Sequence, residues 1–200
     1  MVDFALPNNF AVSSNRIDFL KTSSGNLTAD EFILTAGTWS GEIVKKLGLQ
    51  LLLQAGKGYS FDVERETGIT IPSILVEAKV AVTPMNGFTR FAGTMELGGI
   101  NDIINPVRVD TIASAAENYF GKLQITEEEK KYARTGLRPC SPDGLPYIGR
   151  TQKIKNLTIG TGHAMMGWSL GPATGKLISE IIGDKKSFIE LQPFSPDRKF

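Results

Sequence analysis

The stretch from Asn156 to Ile182, NLTIGTGHAMMGWSLGPATGKLISEII, limits the fold more than any other. An apolar run of strand length enters a glycine-rich loop and leaves it as a helix that stops at Gly183. Glycines 160, 162, 167, 171 and 175 allow close backbone approach and positive φ. Pro172 suits a first helical turn, which places the helix over GPATGKLISEII. Such a helix start offers amide hydrogens and partial positive charge to an anion or an electron-rich ligand. The spacing is not G-x-G-x-x-G, because Gly162 is followed by Gly167, and no dinucleotide fingerprint occurs elsewhere in the chain. Taken alone, the segment also reads as an ordinary strand-to-helix turn of an α/β protein.

The same style appears near the start. EFILTAG is a compact apolar strand that ends at Gly37 and runs into TWSGEIVKKLG, a short helix stopped by Gly48. Before it, FAVSSNRIDFLKTSSGNLTAD reads as short strands, with SSNR and SSGN as turns. The middle differs. GKGYSFDVE, SILVEAKVAVTP and FTRFAGTMEL are rich in β-branched and aromatic residues, and PMNGF holds an Asn-Gly hairpin turn, which predicts an antiparallel sheet. Val109, Ile112, Ala113, Ala116, Tyr119 and Phe120 then fall on one helical face. Thr126 and Glu129 have the spacing of a capping box. The tail, FIELQPFSPDRKF, is expected to be a strand or an extended segment.

Charge and rare residues exclude several classes. With 22 basic and 21 acidic residues the net charge is +1 and no block of one sign stands out, so nucleic-acid binding has no electrostatic support. Cys140 is the only cysteine and His163 the only histidine. An intramolecular disulfide, a zinc site of several thiolates and a His cluster are therefore impossible, and no metal site is expected. No apolar run reaches the roughly 18 residues of a membrane span. MVDFALPNNF lacks the pattern of a secretory leader, and the expectation is a cytoplasmic chain.

One further stretch, GLRPCSPDGLPYIG (136–149), places Arg138 among glycines and prolines. Arg138 reads either as a surface partner of Asp143 or Glu129, or as a planar fork gripping a carboxylate from a rigid loop. His163 is either a base or a structural histidine in a glycine loop. Trp39, Met165, Met166 and Trp168 either wall an aromatic ligand or pack in the core. Cys140 reads as a small packed residue. No Ser/His/Asp order and no P-loop are present.

Together, FILTAGTWS (32–40), GKGYS (56–60), the Arg138 segment and the 156–182 segment resemble, in order and spacing, the FAD-dependent D-amino acid dehydrogenases and glycine oxidases of the D-amino acid oxidase-like family. The resemblance implies α/β with α+β architecture: the C-terminal part of a Rossmann-like FAD domain plus an antiparallel substrate domain with covering helices. It divides the chain into residues 1–54 and 138–200 for the FAD domain and 55–137 for the substrate domain. The family's opening G-x-G-x-x-G turn, which holds the FAD pyrophosphate, has no counterpart here, so the resemblance implies a C-terminal half whose partner is the N-terminal FAD-binding half.

By the same resemblance, Arg138 holds the carboxylate of a small amino acid substrate, and Tyr59, near the domain junction, is a further substrate-binding residue. Amides around Gly162, His163, Met165, Met166, Gly167 and Trp168 face the flavin. Ala36, Gly37 and Trp39 lie near its adenosine. FAD is expected to be non-covalent, because Cys140 lies past the position of the family's linking cysteine. The implied reaction is oxidative deamination by hydride transfer to FAD. The alternative is a non-catalytic carboxylate-binding or assembly module that keeps the fold without flavin. Exposed domain surface favours a homodimer. A quinone-linked dehydrogenase would sit at the inner membrane surface.

Overall fold

The computed structural model describes residues 9–200; residues 1–8, most of the segment read above for a leader, lie outside the described residues. The chain divides into two compact units, one of Met1–Gln54 with Arg138–Phe200 and one of Ala55–Leu137.

In the first unit, β1 (Asn9–Ser13), β2 (Arg16–Thr22) and β3 (Gly25–Leu27) form an antiparallel meander. Its first turn is Ser14-Asn15, and both residues take positive φ, as a tight hairpin requires. β4 (Phe32–Leu34) leads through Ala36-Gly37 and a short 3-10 turn into α1 (Ser40–Lys45). β10 (Tyr147–Arg150), β11 (Leu157–Thr161) and β4 make a second sheet in the order β10-β11-β4. β11 runs antiparallel to β10 and parallel to β4, with Leu157 opposite Phe32 and Ile159 opposite Leu34.

Alternation along β11 explains the layering. Leu157 and Ile159 join Ile17, Val44, Leu49, Leu51, Tyr147 and Ile154 in one buried cluster. Thr158 and Gly160 project from the opposite face of the strand. Gly160 faces α4 (Gly167–Ile182), where a Cβ would meet Ile178 Cδ1 at 2.8 Å. Glycine at this position is what lets the helix close on the strand. A smaller core, Ile148, Leu177 and Ile178, seals that face, with Leu191 and Phe194 of the tail packed against it.

The second unit is built on β5 (Gln54–Val63), β6 (Ser73–Leu75), β7 (Val80–Met85), β8 (Phe88–Glu96) and β9 (Arg134–Cys140), in the sheet order β6-β7-β8-β5-β9. β9 leaves this unit at Leu137. Tyr59, Phe61 and Val63 alternate inward from β5, and Phe61 stacks on Phe91 at 5.6 Å. α2 (Pro106–Tyr119) covers them with Val109, Ile112, Ala113 and Ala116. Asn105 caps its start by accepting from Val107 N. α3 (Glu127–Lys131) carries the Thr126/Glu129 capping box.

Four expectations are corrected. α4 starts at Gly167 rather than near Gly171, because a 3-10 turn over Ala164–Met166 already sets a helical course. Pro172 therefore lies inside the helix and cannot donate to the Trp168 carbonyl. The tail forms no strand; it carries a 3-10 turn at Gln192–Phe194, where Pro193 occupies an early helical position. Tyr119 falls off the apolar face of α2, and its hydroxyl donates to Glu77 at 2.9 Å. Arg138 lies on a strand at the edge of its sheet, not in a loop, and an edge strand accommodates Pro139.

Candidate functional site

Two parallel strands, β4 and β11, end side by side, and each opens into a turn that leads to a helix. The crevice outside the carboxyl ends of parallel strands is the general ligand position of open α/β sheets. Here the two turns are tied together: Thr161 Oγ1 donates to the Gly37 carbonyl at 2.9 Å. Gly162 follows with φ +83°, and a Cβ there would also press on Tyr147 Cδ2 at 3.1 Å. No L-residue with a side chain fits without strain. His163 turns inward, and its Nε2 shares a 2.8 Å hydrogen bond with Thr174 Oγ1 of α4. Burial pushes the imidazole pKa down. The bond holds the ring, and burial disfavours its charged form.

The chain then reverses at Ala164 (φ +47°), closed by Met166 N donating to the His163 carbonyl at 2.9 Å. Residues 165–173 are all exposed, and residues 164–173 include no charged side chain. Trp168 is 97% exposed, Met165 71% and Trp39 50%, so none of them is core. No side chain caps α4. This helix start presents backbone amides beside exposed apolar side chains.

Cys140, at the end of β9, forms an antiparallel backbone bridge with His163. The bridge sets the Arg138 strand directly alongside the glycine turn. Arg138 and Cys140 are two residues apart on a strand and share a face. Nearby in sequence, Asp143 pairs with Arg198 through two contacts of 3.0 Å, and Glu129 pairs with Arg65 at 2.8 Å.

Arg198 was not singled out from sequence, yet it organises the turn after β9. Its guanidinium also donates to the carbonyls of Leu145, Pro146 and Ser195 and lies 3.9 Å from the centre of the Tyr147 ring. Burial raises the Asp143 carboxyl, but the bonds from Arg198 and the Leu145 amide outweigh it and hold the group below the usual aspartate range. A depressed folded pKa stabilises above the unfolded value of about 3.9 and stops doing so as pH falls through the folded one. Thermal unfolding followed from pH 5 downward should therefore show a flatter acid limb for Asp143→Asn than for the native chain. Equal slopes would contradict the assignment.

Tyr59 is 2% exposed, in the core of the second unit. Its hydroxyl donates to Glu96 Oε2 at 2.7 Å, and Glu96 also pairs with the buried Lys57 at 3.2 Å. A β-bulge opposite Lys57–Tyr59, with Thr94 at φ +60°, turns Glu96 toward this pair. Lys57 in turn donates to Asn101 Oδ1 and to the Ile103 carbonyl, both at 2.8 Å. Among the described residues no group of His, Cys, Asp and Glu could hold a metal ion, and no helix is long and apolar enough to cross a membrane.

A D-amino acid dehydrogenase of Agrobacterium fabrum is 31% identical over 190 residues, covering 94% of this chain and 45% of that protein. One from Bradyrhizobium diazoefficiens is 32% identical, covering 92% and 44%. The chain thus spans a little under half the length of these relatives. Among solved structures, a glycine oxidase from Geobacillus kaustophilus superposes with a TM-score of 0.82 at 22% identity, over 100% of this chain and 53% of that one. An L-proline dehydrogenase from P. horikoshii gives 0.84 at 16% identity, over 98% and 54%. Both are likenesses of fold. The family model described as FAD dependent oxidoreductase matches residues 8–181, and the chain belongs to that family.

Proposed function

We propose that this chain supplies the flavin-ring and substrate-carboxylate side of an FAD-dependent enzyme that oxidatively deaminates a small amino acid, as the names of the D-amino acid dehydrogenase relatives suggest. One observation carries the reading: the Cys140–His163 bridge, which lays the strand of Arg138 against an uncapped, charge-free helix start. Arg138 would take the substrate carboxylate as a bidentate guest. The amides of residues 164–168 and the start of α4 would hold the flavin ring and favour negative charge on its facing edge. Ala36, Gly37 and Trp39 would border the cofactor from the neighbouring turn.

Bound FAD supplies the two-electron acceptor for the hydride that leaves the substrate α-carbon. Loss of hydride from the neutral amine leaves an iminium, and water converts this imino acid to a keto acid and ammonium. On this chain the contribution is positioning: a fixed guanidinium orients the α-carbon, and orientation of reactants is worth up to about 7–11 kcal/mol. The pyrophosphate has no counterpart site here, so the companion N-terminal half would hold it.

Flavin uptake tests the reading. The chain alone should stay colourless with FAD. Co-expressed with the N-terminal half of a D-amino acid dehydrogenase, it should give a yellow protein that reduces an artificial acceptor with a D-amino acid. A folded co-complex that takes up no flavin would overturn the proposal.

A further inference from the structure

Ala164 is the strained point of the glycine turn. Its φ of +47° lies in the left-handed region, which L-residues with a side chain occupy only under restraint. Inside the turn, a single backbone bond from Met166 to His163 closes the loop. The remaining restraint reaches His163 from two sides. Its backbone is bridged to Cys140, and its half-buried ring is bonded to Thr174. Thr174 is itself buried, about two helical turns into α4. A Cβ placed on Gly160 would lie 3.4 Å from its methyl group, so Thr174 is wedged against β11 with its hydroxyl aimed at the imidazole. The hydrogen bond therefore spans from the loop to the helix that the loop starts.

We infer that Thr174 is a positioning residue: through His163 it holds Ala164 in the left-handed conformation and so fixes the direction of the amides at 165–168. This rests on the flavin reading for its purpose, but not for its measurement. The Thr174 hydroxyl can donate to Nε2 or accept from it, so the bond holds the ring in place whichever ring nitrogen carries the proton.

The test uses the chain itself, without flavin. His163 is the only histidine, so its ring nitrogens give a single resolved pair of ¹⁵N signals. In the native chain the Nε2 signal should carry the shift of a hydrogen-bonded ring nitrogen. Thr174→Val removes the hydroxyl at equal volume, and Thr174→Ser keeps it. The valine variant should lose this signature and speed hydrogen exchange at the bonded Met166 amide about tenfold, the scale of one lost neutral hydrogen bond. The serine variant should stay within about twofold of native. Amides of β11 and of residues 177–182 should be unchanged in both.

Exchange that rises equally in β11 would make Thr174 an ordinary packing residue and overturn the inference, as would a serine variant that behaves like valine. If the valine variant does not fold, the native ring decides: an Nε2 shift without the mark of a hydrogen bond also overturns it. Failure of flavin uptake with these results intact would sink the flavin reading alone.

Discussion

Replacing Asn156 by alanine should cost about 2–4 kcal/mol of stability, because it strands two buried backbone groups at once. Asn156 is 1% exposed. Its Oδ1 accepts from Ile17 N at 2.8 Å, and its Nδ2 donates to the Ile17 carbonyl at 2.9 Å. The side chain thus replaces the missing neighbour strand of β2 at this residue and locks the meander to the start of β11. Ile17 is a core member, so its amide cannot turn to water without opening the cluster around Val44 and Tyr147. Asn156→Asp should be no better, since it keeps the acceptor but loses the donor and buries a charge. Urea unfolding of the three proteins measures the effect. A loss below about 0.5 kcal/mol would mean that solvent reaches Ile17 and that the pair is not a lock.

How much of this was legible beforehand follows from the range of each interaction. Strands with strict alternation, the capping box at Thr126 and the unit of β4, turn and α1 rest on neighbours in sequence, and they could be read directly. Family membership was legible because four glycine- and proline-marked segments keep their order and spacing. The limits of α4 were misjudged, since Pro172 looked like a start signal while the preceding 3-10 turn already carried the chain into the helix. Arg138 was expected in a loop for a similar reason. Glycine and proline normally exclude a strand, but an edge position forgives both.

Long-range partners were not legible at all. Asn156 with Ile17, Arg198 with Asp143 and Lys57 with Glu96 depend on contacts 139, 55 and 39 residues apart, and no local pattern marks them. Nor does any sequence pattern mark Thr174. Only its distance to His163 gives it a role.

The second large effect concerns Arg138. In the yellow complex, Arg138→Lys should raise the apparent KM for the amino acid by about ten- to a hundredfold, the scale of one charge-assisted hydrogen bond and its geometry. Lysine keeps the charge but presents a single rotating ammonium, so the second parallel bond to the carboxylate is lost. The flavin absorption should not change, because the amides of 164–168 and not the guanidinium are assigned to the ring. An amine substrate without a carboxylate should separate the two residues least, since it never used the fork. The ratio of the two effects is the decisive quantity. Loss for both substrates alike would make Arg138 a support of the β9 strand, whereas an unchanged KM for the amino acid would remove it from the substrate site. Loss confined to the carboxylate-bearing substrate requires a cation that meets that group directly. The bridge at Cys140 and His163 gives its strand the position to do so.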